Sequence, residues 1–186
     1  MKTKRMNTQI LELLKRKSIL FETGLTADEF EQIRNVYDIE FPTPLQDFLG
    51  NILPVSKGFY NWRNFNKSNV EFIKACMKHP VEYICNQTHE VDWCDEWGVE
   101  PDDEKIRDDE IKKKALKAPT LIPIYLHRYM PLGHFNSYPI LSIHGIDVIY
   151  YGKDLEDYIR NEFGDKNRAG LDYATIQKVP FWTDLM

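Results

Sequence analysis

Three histidines in the last third of the chain are the first candidates for chemistry. His127, His134 and His144 lie in a β-rich stretch, and Asp147 follows closely. Imidazole and carboxylate groups are common zinc ligands, so a metal-dependent enzyme would need these side chains to converge. The stretch has neither the H-E-x-x-H spacing nor a paired-cysteine motif. We therefore rank structural or surface histidines ahead of a metal site and predict no bound metal and no cofactor.

Nucleophilic and nucleotide-dependent chemistry has no motif in this sequence. The hydrolase motif G-x-S-x-G and the phosphate-binding motifs G-x-x-x-x-G-K-[ST] and G-x-G-x-x-G do not occur. Cys76, Cys85 and Cys94 form no C-x-x-C pair, and an odd number of cysteines in a chain of this length fits a reducing compartment. The sequence predicts a cytoplasmic protein that is not an enzyme.

The most unusual feature of the chain is an acidic segment, residues 90–110. It contains eleven carboxylates but only Lys105 and Arg107 as basic residues, which is a local charge of -9. Because the net charge is -5, the remainder totals +4. The segment also contains Trp93 and Trp97. It is either a solvated face that aids solubility, or a face that attracts a basic protein and holds it through aromatic contacts.

Two residues outside the acidic segment are further candidates for partner contact. Trp62 lies in the aromatic stretch FYNWRNF, and Arg128 could bind a carboxylate on a partner or pair internally with the acidic segment. Carboxylates close in sequence could also form an acid/base pair, but catalysis would need one of them in an apolar pocket. The predicted partner-binding residues are Trp62, Asp92, Trp93, Asp95, Glu96, Trp97 and Arg128.

Amphipathic spacing and capping signals, among them capping boxes formed by Thr26 with Glu29 and by Ser68 with Glu71, predict the elements that position these residues. Helices are expected over about 6–17, from Thr26 to Phe41, over 43–50, over 69–78 with a new turn at Pro80, over 101–117 and over 154–164. Strands are expected over 59–65, 121–129, 138–144 and 147–151, and a loop or irregular strand over 89–98. Val99, Ile106, Ile111 and Leu116 are the expected buried anchors of the helix over 101–117. The aromatic end of the chain is expected to fold back onto the body.

Composition limits the classes of protein that remain. The chain has 186 residues, of which 42% are hydrophobic and 28% charged, values typical of one globular domain. Its longest apolar run, residues 121–126, is too short to span a membrane, and Glu12 interrupts the apolar stretch that a signal peptide would need. The negative net charge disfavours nucleic acid as a partner.

The order of several segments resembles the SUKH superfamily, the Smi/Knr-like proteins. The matching segments are LTADEF (25–30), FPTPLQDFL (41–49), a tryptophan at 62, LIPI (121–124) and VIYYG (148–152). WCDEWG (93–98) and HRYMP (127–131) are similar to a bacterial subgroup. The resemblance covers about residues 25–163 and carries no catalytic residues.

The resemblance implies an α+β fold in which a mixed, mostly antiparallel sheet is wrapped by helices. The expected organisation is an N-terminal helical extension (1–24) and one domain (25–186) with an acidic insert at about 90–118. Bacterial members of the superfamily are mostly immunity proteins that neutralise toxins, often nucleases, and fungal members are regulatory scaffolds. We therefore expect a protein-binding module, monomeric or weakly homodimeric, whose partner is a basic toxin or a regulated protein. A regulatory scaffold and, last, a metal-dependent enzyme stay as alternatives.

Overall fold

The computed structural model describes residues 7–164 and 172–186. In that part of the chain, α-helices precede and flank a four-stranded sheet, and a two-stranded sheet joins the N-terminal helices. The helices are α1 (Thr8–Arg16), α2 (Ala27–Tyr37), α3 (Thr43–Asn51), α4 (Lys67–Asn86), α5 (Glu104–Lys117) and α6 (Leu155–Phe163). The strands are β1 (Phe21–Thr23), β2 (Ile52–Pro54), β3 (Leu121–Tyr125), β4 (Arg128–Pro131), β5 (Ile140–His144) and β6 (Asp147–Gly152). The predicted α+β single domain is confirmed.

Side-chain caps explain where several helices begin. The hydroxyl of Thr26 accepts the amide N–H of Glu29, and the Glu29 carboxylate accepts the amide N–H of Thr26, so the predicted capping box is formed. Asp154 caps α6 as expected, by accepting the amide N–H of Asp157. Each cap satisfies backbone donors that the first helical turn leaves without intrahelical partners.

The helix α4 is longer than its sequence predicts. It runs unbroken for 20 residues with Pro80 inside, where a separate turn was expected. Asn66 caps it by accepting the amide N–H of Asn69, so the expected capping box at Ser68 is wrong. A proline inside a helix removes one hydrogen bond at a cost of about 3 kcal/mol. Burial of Ile73, Pro80 and Ile84 offsets that cost here.

The sheets are antiparallel throughout the described residues, where a mixed, mostly antiparallel sheet was expected. The larger sheet has the order β3-β4-β5-β6, a meander, and the smaller one pairs β1 with β2. The predicted run over 121–129 is two strands, because the chain reverses at Leu126, whose φ is +47°. The predicted strand over 59–65 is reduced to a single bridge between Phe59 and Tyr125.

Two apolar clusters hold these elements together. One contains the buried faces of α1, α2, α3 and α6, and it includes Leu14 and Trp62. The other lies between the larger sheet, α4, α5 and the C-terminal tail (residues 176–186), and it includes Ile111 and Trp182. Since α1 packs into the first cluster and β1 pairs with β2, residues 8–23 belong to the body of the domain. Among the described helices, none is both long and apolar enough to cross a membrane.

Candidate functional site

One of the two basic residues of the acidic segment, Arg107, ties the parts of the segment to one another. Its first part forms two short 3-10 turns, Thr88–Glu90 and Asp95–Trp97, and its second part forms the start of α5. The Arg107 guanidinium donates to the carbonyl oxygens of Val91 at 2.5 Å and Thr88 at 3.3 Å, and to Glu100 Oε1 at 2.6 Å. Arg107 therefore satisfies loop carbonyls and holds the 3-10 turns against α5.

The two tryptophans of the acidic segment are half-buried and pack edge to face, with ring centroids 5.5 Å apart. Trp93 Nε1 donates to the carbonyl oxygen of Gly98 at 2.8 Å, and Trp97 Nε1 donates to Asp184 Oδ2 at 2.8 Å. Both indole N–H groups are therefore satisfied within the molecule. What the pair leaves exposed is part of the apolar surface of the rings.

The C-terminal tail supports this tryptophan pair, and its predicted return to the body is confirmed. Val179 and Trp182 are fully buried, and Trp182 Nε1 donates to the carbonyl oxygen of Pro119 at 2.8 Å. Lys178 forms an ion pair with Glu96, and this hydrogen bond raises the pKa of Lys178 above its ordinary value. Glu96 is thus partly neutralised by the chain itself.

The remaining predicted carboxylates of the surface face solvent. Asp92 and Asp95 are exposed and form no ion pair with the described residues. Val99, which was expected to be a buried anchor, is 95% exposed beside them. Asp92, Asp95 and Glu96 are thus exposed, and Trp93 and Trp97 half-exposed, within one short stretch of chain, which we call the Trp93/Trp97 surface.

Trp62 does not join that surface, and its assignment as a partner-binding residue is corrected. It is 2% exposed, and its ring meets Tyr37 and Phe41 edge to face at centroid distances of 5.2 and 4.9 Å. A large aromatic side chain gains more from complete burial in such a cluster than from a polar surface. Trp62 is a core residue.

Arg128 is also committed to the inside of the molecule. Its side chain is 10% exposed, donates to Glu162 Oε2 at 3.0 Å and to Ser142 Oγ at 2.9 Å, and lies 3.7 Å above the Tyr151 ring centroid. The ion-pair partner is Glu162 on α6, not the acidic segment. Arg128 links the sheet to α6, so its assignment to partner binding is corrected as well.

The three candidate metal-binding histidines do not form one site. The rings of His127 and His144 lie with their centroids 6.0 Å apart, whereas His134 is exposed in the loop between β4 and β5. Burial, with smaller contributions from Arg128 and His144, lowers the pKa of His127. Within residues 7–164 and 172–186 there is no group of three or more side chains able to hold a metal ion.

Several residues that build the Trp93/Trp97 surface were missed at the level of sequence. Arg107 carried a visible signal, since it is one of two basic residues among eleven carboxylates. Phe181 belongs to the aromatic end that was expected to fold back, whereas Asp184 and Lys178 carried no signal, because they lie 87 and 82 residues along the chain from the side chains that they contact. Comparisons with protein-family models, with curated proteins and with solved structures find no match to this chain.

Proposed function

We propose that this protein is a non-enzymatic binding module of the SUKH type, and that its Trp93/Trp97 surface binds a basic protein. The observation that supports the proposal is that exposed carboxylates, such as Asp92 and Asp95, lie in the same short stretch of chain as two half-buried tryptophans whose rings pack together. Hot spots of protein interfaces combine aromatic anchors with surrounding polar groups in this way.

The two kinds of side chain would act at different stages of binding. Unpaired carboxylates steer a basic partner towards the surface and raise the association rate. The tryptophan rings then lose their remaining exposed area to the partner, which slows dissociation. Because the indole N–H groups are already satisfied by Gly98 and Asp184, burying the rings leaves no donor without an acceptor.

We further propose that the basic partner is a toxin and that the protein acts as its immunity protein in the cytoplasm. A nuclease toxin binds phosphates through a basic groove, and an acidic surface can fill that groove and keep substrate out. The resemblance of the sequence to bacterial SUKH proteins supports this choice of partner. The net charge of -5 supports it also, because steering of a basic protein requires the opposite sign.

The direct test is protection of growth from the product of a neighbouring gene. Co-expression of this chain should restore growth to cells that make that product, and the double variant Asp92→Lys/Asp95→Lys should lose protection. The matched control is Glu31→Lys/Glu71→Lys, which makes the same change in net charge at exposed positions of α2 and α4. Equal protection by the wild type and the Asp92/Asp95 variant would reject the Trp93/Trp97 surface.

Binding kinetics of the purified pair separate a toxin from a regulated protein held by neutral contacts. An electrostatically steered association slows as the Debye length shortens from about 10 Å at 0.1 M salt to about 3 Å at 1 M. An association rate that does not change with salt would favour a regulatory scaffold.

A further inference from the structure

The outward face of α5 carries a stripe of four residues that the described fold leaves uncovered. Ile106 and Leu116 keep 55% and 71% of their surface exposed, although both were expected to be buried anchors. Asp109 and Lys113 lie between them and are exposed as well. Spacings of three, four and three residues place all four on one side of the helix, opposite the buried Ile111.

This α5 stripe, formed by Ile106, Asp109, Lys113 and Leu116, has the spacing of a coiled-coil seam, with apolar residues at its two ends and charged residues at its two central positions. Its residues occupy the a and d positions of two successive heptads, in the order apolar, acidic, basic, apolar. The order is complementary to itself when a second stripe runs in the opposite direction. Ile106 then lies beside Leu116 of the second copy, and Asp109 lies beside Lys113 of the second copy, each contact occurring twice.

The charges along the rest of α5 favour the same antiparallel arrangement. The first turns of the helix and the residues before it are acidic, and the last turns are basic. An antiparallel pair therefore places the acidic end of one helix beside the basic end of the other. Their macrodipoles are opposed as well, which is the favourable orientation.

We propose that α5 is the interface of a symmetric homodimer, in which the α5 stripes of two copies pack antiparallel about a two-fold axis that passes between the stripes, midway between Asp109 and Lys113 along the helix. A second copy fits the stripe better than a basic protein does, because the stripe carries one charge of each sign and is neutral. Isologous contact of one patch with itself is the commonest symmetry of soluble oligomers. The proposal is independent of the proposed function, since Trp93, Trp97, Asp92 and Asp95 lie outside the stripe.

The dimer is expected to be weak. A helix of 14 residues is about 21 Å long. An interface of one such helix pair falls below the roughly 1,200 Å² of total buried surface that specific, stable complexes need. In its two central layers Asp109 of one copy shares Lys113 of the other with Glu110, which pairs with Lys113 at 2.7 Å within the same helix. Because these layers are ionic, the dissociation constant should rise with salt.

Sedimentation equilibrium of the full chain tests the proposal. At low salt the mean mass should rise from monomer towards dimer with protein concentration. Asp109→Lys places two lysines in each central layer, and Lys113→Asp places two aspartates there, so each variant should weaken the dimer at least about tenfold. An equimolar mixture of the two variants should restore it, because every central layer of the heterodimer again holds one acid and one base.

The charge-matched control Glu71→Lys, on α4, should leave dimerisation unchanged. Circular dichroism of each variant should show wild-type helix content. The mixture is a second control for folding, because the same two variant chains that fail to dimerise separately should dimerise when mixed. A wild-type chain that stays monomeric at low salt and high concentration would overturn the proposal. So would a mixture that remains monomeric, or single variants that dimerise as the wild type does.

Discussion

The indole ring of Trp97 stacks on the ring of Phe181, with the centroids 5.7 Å apart and the planes within 5° of parallel. Asp184 reinforces this contact by accepting both Trp97 Nε1 at 2.8 Å and the backbone N–H of Phe181 at 3.1 Å. The second bond also holds Phe181 at a φ of +67°, which is unusual for a residue with a side chain. The end of the chain thus supports the Trp93/Trp97 surface, 87 residues away from Trp97 in sequence.

Asp184→Ala should therefore loosen the acidic segment as well as the tail. The variant leaves the indole N–H of Trp97 and the amide of Phe181 without their acceptor, and the free energy of unfolding should fall by about 1–3 kcal/mol. Urea denaturation measures this loss, and hydrogen exchange should show weaker protection over residues 93–98. Asp147→Ala, at an exposed position of the β5–β6 hairpin, is the control. Unchanged exchange in the Asp184 variant would show that the tail does not support the surface.

Arg128 and Glu162 should be strongly coupled in stability. Their side chains are 10% and 16% exposed, so removing one partner leaves a largely desolvated charge. We expect Glu162→Ala to lower the free energy of unfolding by about 3 kcal/mol. The double variant Arg128→Met/Glu162→Leu should recover most of that loss, because no buried charge is left. A double variant that is no more stable than Glu162→Ala would contradict the coupling.

Tyr158 and Tyr60 allow a comparison of a buried hydroxyl that has no hydrogen-bond partner with one that has such a partner. The Tyr158 hydroxyl is buried with no hydrogen-bond partner among the described residues, whereas the Tyr60 hydroxyl donates to the carbonyl oxygen of Leu126 at 2.7 Å. Tyr158→Phe should leave the free energy of unfolding unchanged or raise it, and Tyr60→Phe should lower it by about 1 kcal/mol. Thermal and urea unfolding of both variants measure the difference. Equal losses would show that Tyr158 has a partner, such as an ordered water molecule.

Glu29 should make the free energy of unfolding depend on pH in the acidic range. The Arg63 guanidinium binds its carboxylate at 2.5 Å and lowers the pKa of Glu29 below the ordinary value of 4.5. A carboxyl group whose pKa is lowered by folding stabilises the protein above its unfolded-state pKa. That stabilisation disappears as the pH falls from about 4.5 through the lower, folded-state pKa.

Glu29→Gln isolates this charge effect, because glutamine can still complete the capping box with Thr26. The variant should be less stable than the wild type at neutral pH by about 1–2 kcal/mol, since the hydrogen bond from the Arg63 guanidinium then goes to a neutral amide oxygen and the ion pair is lost. The difference should shrink as the pH falls below 4.5. Urea denaturation across that range measures it, and a difference independent of pH would contradict the assignment.

Local signals of the sequence were sufficient for most secondary structure. The capping box of Thr26 and Glu29 involves residues three positions apart, so its chemistry is complete before any tertiary contact forms. The start of α6 was likewise predicted from the cap at Asp154, and its buried face from apolar residues at helical spacing. The predicted break at Pro80 is wrong, because burial of the helix face that contains Pro80 outweighs the local preference of proline to end a helix. That burial depends on tertiary contacts and cannot be derived from the local sequence.

The acidic segment and its tryptophans were visible in the sequence because charge and residue type do not depend on folding. Tertiary structure alone decided which of the candidates reach the surface. Trp62 is buried in the core while Trp93 and Trp97 stay half-exposed, and Arg128 pairs with Glu162, 34 residues away along the chain. In α5, too, the sequence shows where the apolar residues are, but only the fold determines that Ile111 is buried and that Ile106 is exposed. The physical reason is that side-chain burial is set by what packs against each helix face, and those neighbours are distant in the chain.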